Sequence, residues 1–138
     1  MDRILAIDSG LTVTKAVVFD LDGCEIAVAR RNVKQIEPVP RHVERDMADL
    51  WHQTALAIRD VLAHSATDPA GIVAVAATAH GDGLYVLDRA GQPLGRGVVS
   101  LDSRAVDVLD EWQLGSLPER ALKLTGQMPH VSSPSALL

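Results

Sequence analysis

A single cysteine, Cys24, stands in 138 residues, so an intrachain disulfide and a cysteine-based zinc cluster are both excluded. A chain built without them suits a reducing compartment. Aromatic residues make up 3% of the sequence, which removes the stacking platforms that grip single-stranded nucleic acid. Basic charge is also short. Thirteen Lys and Arg against 18 Asp and Glu leave a net charge of -5, with no footprint for a phosphate backbone, and nucleic acid is not expected as a partner. Long apolar runs are missing too. The first one, residues 4–7, stops at Asp8, short of the seven or more residues of a signal-peptide core, and no stretch approaches the roughly 20 residues that cross a bilayer. A cytoplasmic protein with no membrane partner is the expectation. The two familiar glycine-rich nucleotide signatures, GxxxxGK[ST] and GxGxxG, are absent as well.

What is present reads as an α/β chain of one domain's length. Residues 4–7 and the β-branched run 13–19 predict two strands joined by a tight turn over 9–12. Asp22-Gly23 then reverses the chain into a third strand over 25–33. These three make an antiparallel meander. Pro38 and Pro40 keep residues 34–44 out of a ladder. A helix follows over 47–64, with Asp46 as its cap and Asp49 in its first turn; Met47, Leu50 and Trp51 belong to its core stripe. After the Asp68-Pro69-Ala70-Gly71 break, residues 72–78 are continuously apolar, as a strand buried on both faces and placed inside the sheet would be. Shorter strands over 84–87 and 98–101 precede helices over 103–112 and 118–124, and residues 126–138 show no period.

Three segments can carry chemistry. Asp8-Ser9-Gly10-Leu11-Thr12 sits between two strands, where successive backbone N–H groups can face a phosphate and a strand-end carboxylate can hold Mg²⁺ through water. An ordinary hairpin turn accounts for the same residues. His80-Gly81-Asp82-Gly83 follows a strand end, the usual ligand edge of α/β sheets; His80 and Asp82 can bond sugar hydroxyls, and Gly81 leaves room for close approach. Plain turn chemistry is the competing explanation. Asp102-Ser103-Arg104 spans a strand-to-helix junction, where Asp102 either grips vicinal hydroxyls beside Arg104 or caps the helix. His42, His52 and His64 lack metal-ligand spacing, and Glu44, Asp46 and Asp49 suit the start of a helix.

In this order, the segments resemble the opening of the FGGY carbohydrate kinases. Residues 4–12 followed by Lys15-Ala16-Val17 look like that family's first phosphate loop, and Glu44-Arg45-Asp46 with Leu50-Trp51 like its entry to the first helix. Ala79-His80-Gly81 falls at its substrate loop. Asp88, Gly91, Pro93 and Leu94, then Asp102-Ser103-Arg104, look like its D-x-x-G-x-P-L…W-x-D-x-R signature. Ser100 stands where the signature has Trp, as in the L-xylulose kinase and erythritol kinase branches. The resemblance implies an actin-like, ribonuclease H-like ATPase fold: a mixed sheet opening with the meander, with helices on its faces. It also implies phosphorylation of a sugar or polyol by ATP with Mg²⁺. It assigns Asp8, Ser9, Gly10, Leu11, Thr12 and Lys15 to phosphate, Asp8 also to the metal, and His80, Gly81, Asp82, Asp102 and Arg104 to the acceptor. No catalytic base is expected within the chain; it would lie downstream, with residues 1–138 as an N-terminal domain incomplete on its C-terminal side. A homodimer is a candidate assembly. The competing function is a sugar-binding or regulatory module of the same ATPase group without kinase activity.

Overall fold

The structure, a computed structural model, describes residues 1–64 and 66–132. They divide into two compact units that interleave in sequence: Met1–Lys34 with Met47–His80, and Gln35–Asp46 with Gly81 onward.

In the first unit, β1 (Arg3–Ser9), β2 (Val13–Asp20) and β3 (Glu25–Asn32) form the expected meander, and β5 (Ile72–Ala79) joins the other side of β1, giving the order β3-β2-β1-β5. β1 runs antiparallel to β2 and parallel to β5, so the sheet is mixed. The β2–β3 reversal is made by Gly23 at φ 84°, while the Asp20 carboxylate accepts from the N–H groups of Asp22 and Cys24. Cys24 is thus an exposed turn residue. Alternation along β2 sends Thr14, Ala16 and Val18 inward, as the two-residue period of a strand requires. Helix α1 (Met47–Leu62) crosses β2 and β3, burying Thr54, Ala57 and Val61 against them. Alanines at 16, 27 and 57, all buried, let helix and sheet approach closely. Thr14 and Thr54 bring a hydroxyl pair into this core, bonded at 3.1 Å, with Thr54 also donating to the Leu50 carbonyl. Burial of polar atoms is tolerable when each finds a partner.

Two expectations fail here. β5 is an edge strand of the described sheet, and its faces are open, with Val73 59% and Val75 62% exposed. The reason is that α1 lies over β2 and β3, and of β5 it is Ile72, at the strand's start, that packs against the core cluster. The Met47-Leu50-Trp51 stripe is not core either: Trp51 is exposed, and the three residues line a shallow apolar hollow with Ser9 and Thr54. The packed stripe of α1 is one turn further on.

The second unit holds a small sheet, β4 (Glu44–Arg45), β7 (Gly97–Val99) and β6 (Gly83–Leu84), in the order β4-β7-β6 and antiparallel throughout. β6 and β7 are shorter than expected. The chain beyond β6 turns through Asp88, whose carboxylate accepts from Ala90 and Gln92 N–H, and Leu87 pairs with Pro93 only as an isolated bridge. Glu44, expected at the helix start, instead lies on β4, paired with Val98. Helices α2 (Val106–Gln113) and α3 (Leu117–Thr125) follow. α3 begins with Pro118 in its first turn and ends at Gly126 in the left-handed region, φ 77°, the usual signals for both ends. The final residues, 133–138, lie outside the described residues, and with them the second part of the unpatterned segment.

Candidate active site

The candidate residues fall into two groups, one in each unit. In the first unit, antiparallel register sets Asp8 opposite Lys15, and the side chains meet, Nζ donating to Oδ2 at 3.1 Å. Both remain about two-fifths exposed, so the pair contributes little to stability and leaves carboxylate surface available to a ligand. The turn after Asp8 is closed by the Gly10 N–H, which donates to the Val13 carbonyl at 3.0 Å. A Cβ on residue 10 would stand 2.8 Å from that same oxygen, so the turn takes only glycine in this form. Because β1 and β5 are parallel, their carboxyl ends share one edge. Ser9 faces Ala79, and the next residue, His80, donates its backbone N–H to the Ser9 carbonyl at 3.1 Å. The turn over 8–12 and the start of the histidine loop are therefore neighbours at the edge where α/β sheets bind ligands.

The second unit carries Gly81, Asp82, Asp102 and Arg104. Gly81 has open space where a Cβ would be, whereas a Cβ on Gly83, at φ 144°, would stand 2.8 Å from the Val98 carbonyl. Asp102 is completely buried at a turn in which its N–H donates to the Val99 carbonyl. Its Oδ1 accepts from the backbone N–H and Nε of Arg104, both at 2.9 Å; its Oδ2 accepts from Val43 N–H and Arg104 Nη2, both at 2.7 Å. A carboxylate offers about four acceptor positions, and all are taken. In this arrangement Asp102 fixes Arg104 and the Val43 N–H. Arg104 Nη2 also donates to Glu44 Oε1 at 2.8 Å, and Arg96 approaches Glu44 Oε2 at 3.4 Å. None of the described hydrogen bonds uses Arg104 Nη1.

The electrostatics follow from this chain of alternating charge. Burial pushes the Asp102 carboxyl up, but the bonds from Arg104 and Val43 outweigh it and hold it below the usual range. Hydrogen bonding from Arg104 lowers Glu44 against the opposing effect of burial, with Arg96 adding to the lowering. Arg104 is raised, first by its bond to Asp102. All three charges are thus locked on at neutral pH. Tyr85 is raised by burial, partly offset by the charge of Arg45. Glu44 is the member of this network that local pattern misassigned: its acidic neighbours Asp46 and Asp49 read as a helix start, and only strand pairing carries it to Arg104. His130, which no local motif marks, stands beside Asp82, Nε2 3.8 Å from Oδ1. Among the described residues no cluster of three metal-ligating side chains occurs, and no helix is long and apolar enough to cross a membrane.

A meander, a crossing helix and a parallel strand added beside β1, with a glycine turn at the β1–β2 corner, define the ribonuclease H-like core of an actin-like ATPase. Comparison with known proteins agrees. Residues 3–138 match the N-terminal domain model of the FGGY family of carbohydrate kinases, and the chain belongs to that family. It is 37% identical over 97% of its length to the L-xylulose/3-keto-L-gulonate kinase of Escherichia coli, of which it spans 27%. The crystal structure of xylulose kinase from Rhodospirillum rubrum superposes with a TM-score of 0.80 at 25% identity, over 98% of this chain and 28% of that one. Plasmodium falciparum glycerol kinase, solved with ADP, gives 0.78 at 21% identity, over 99% and 28%.

Proposed function

We propose that the whole protein transfers the γ-phosphoryl group of ATP to a hydroxyl of a sugar or polyol in the cytoplasm, a pentulose such as L-xylulose being the first candidate. This chain would supply the first phosphate turn and much of the acceptor site, as the N-terminal part of a longer kinase. The observation that carries the reading is the shared carboxyl edge of β1 and β5, where the Asp8 turn and His80 are joined by the Ser9–His80 hydrogen bond. A kinase needs phosphate and acceptor held next to one another, since positioning supplies much of its rate.

Each residue has a distinct task. Asp8, half-exposed and with one oxygen held by Lys15, suits a hydrated magnesium ion, which keeps most of its water and uses one or two carboxylates. Bound there with ATP, Mg²⁺ would neutralise charge on the phosphates. Ser9, Gly10, Leu11 and Thr12 form the turn that faces the phosphate, and Lys15 keeps Asp8 in place. His80 bonds an acceptor hydroxyl, Gly81 admits the acceptor close to the backbone, and Arg104, oriented by Asp102 and Glu44, donates from Nη1. No residue described here is assigned as the base that takes the acceptor's proton.

The test is a coupled ADP-release assay on the full-length gene product with Mg-ATP and a panel of pentuloses, pentitols, erythritol and glycerol. Strong turnover with one acceptor is expected. Asp8→Ala should lower it by at least about a hundredfold, the scale of losing a preorganised charge at the transferring group, while changing stability by less than about 1 kcal/mol, as an exposed ion pair does. ATP binding without turnover of any acceptor would overturn the reading in favour of a sugar-binding or regulatory module.

A further inference from the structure

The alternating charges of the second unit are arranged with their cations outermost. The Asp102 side chain is fully buried and that of Glu44 is 15% exposed, whereas Arg104 is 26% and Arg96 49% exposed. Charge cancels across these four residues, yet a molecule arriving from solvent meets two guanidinium groups before either carboxylate. Strand geometry produces this order. Glu44 pairs with Val98 and Arg45 with Gly97, and successive side chains of a strand point to opposite faces. Arg45 is thus buried, while Glu44 lies on the other face. Arg96, two residues before Val98, is carried to the face of Glu44 and meets it there.

The two arginines are held unequally. The Arg104 guanidinium is fixed by two bonds to Asp102 and one to Glu44, at 2.7–2.9 Å. Arg96 has a single described contact, Nη1 to Glu44 Oε2 at 3.4 Å, beyond the usual N–H···O range. Its Nε and Nη2 meet no partner among the described residues. Arg96 also stands between Gly95 and Gly97, with open space beside Gly95, so no neighbouring side chain in sequence confines it. Glu44 therefore tethers Arg96 beside Arg104 and leaves the rest of its guanidinium open to solvent.

We propose that Arg96 takes the carboxylate of a sugar acid, so that the acceptor site serves acidic as well as neutral sugars. A guanidinium holds a carboxylate through two parallel N–H···O bonds. Nε and Nη2 of Arg96 make that fork on the side away from the Nη1 that faces Glu44. The inference rests on the kinase reading above, in which Arg104 Nη1 donates to the acceptor. Because Arg96 and Arg104 touch the same Glu44 carboxylate, an acceptor bonded at Arg104 has its far end within reach of Arg96.

The experiment is steady-state kinetics of the full-length protein with Mg-ATP. L-xylulose is compared with gluconate and xylonate as acceptors or, where an acid is not phosphorylated, as competitive inhibitors. Wild type should bind at least one of the acids. Arg96→Gln should lower the preference for that acid relative to L-xylulose by about tenfold or more, the scale of lost hydrogen bonds to a charged group. The loss should fall on KM or the inhibition constant rather than on kcat. Arg96→Lys, which keeps the charge without the fork, should restore part of it. The KM of the acid should climb with salt between about 0.05 and 0.5 M while that of L-xylulose stays level. Arg96 is half-exposed, so these variants should melt close to wild type. A joint loss of acid and neutral acceptor would show Arg96 acting through Glu44 on Arg104, and would overturn the carboxylate contact. So would acid binding that Arg96→Gln leaves within about twofold, or no binding of either acid by wild type. If wild type turns over no acceptor at all, the kinase reading fails by itself. Calorimetric titration with gluconate then decides the contact: binding lost in Arg96→Gln supports it, and equal or absent binding refutes it.

Discussion

Replacing Asp102 by alanine tests whether this residue is the structural anchor of the second unit. Its buried carboxylate accepts four hydrogen bonds, one from Val43 N–H and three from Arg104. Removing it leaves the Val43 N–H unpaired and the Arg104 guanidinium with Glu44 as its remaining described partner. Breaking a buried ion pair costs about 3–5 kcal/mol. Arg104 is 26% exposed and keeps Glu44, so water and the second carboxylate recover part of that, and about 3 kcal/mol is expected. Hydrogen exchange reads this locally in the full-length protein: segments containing residues 43 and 104 should exchange about a hundredfold faster, since each 1.4 kcal/mol is a factor of ten. Asp102→Asn should be nearly as damaging, because its NH₂ group would point at the donors on one side. An increase below about fivefold, or an Asn variant equal to wild type, would refute the assignment.

Two further outcomes follow from the same geometry. Glu44 and Asp102 titrate below their ordinary values of 4.5 and 3.8. The unfolded chain therefore binds more protons than the native one near pH 4, and stability is present above that range and lost as the pH falls through it. Urea midpoints measured from pH 6 down to 3 should drop steeply below about pH 4.5, and Asp102→Asn should flatten the drop; an unchanged slope would count against the network. Gly10→Ala places a Cβ 2.8 Å from the Val13 carbonyl oxygen, a clash with backbone that cannot swing aside. It should destabilise by about 1–3 kcal/mol and raise the ATP KM, and a variant with wild-type melting and kinetics would show that the turn has room the structure denies it.

Local pattern made the first unit largely legible. The β1–β2–β3 meander, the helix expected over 47–64 and a strand after Gly71 all follow from period, turn chemistry and prolines, because each depends on residues close in sequence. The Asp8 turn was visible for the same reason. The second unit was less so. Its strands are two or three residues long, too short for alternation to register, and its polar network joins Glu44 to Arg104 and Asp82 to His130 across long stretches of chain. Composition makes the apolar 72–78 run look like an interior strand, yet burial depends on what packs against it, and α1 covers β2 and β3 instead.

The sequence by itself therefore determined the order and type of the main elements, the glycine turn after Asp8 and the family, since these rest on short-range periodicity and ordered motifs. Only the tertiary structure decided that Asp102 is buried against Arg104 and Val43, that Glu44 belongs to a strand, and that Asp82 faces His130. Which acceptor positions a carboxylate has left, and which charges balance it, depend on residues that only folding brings together.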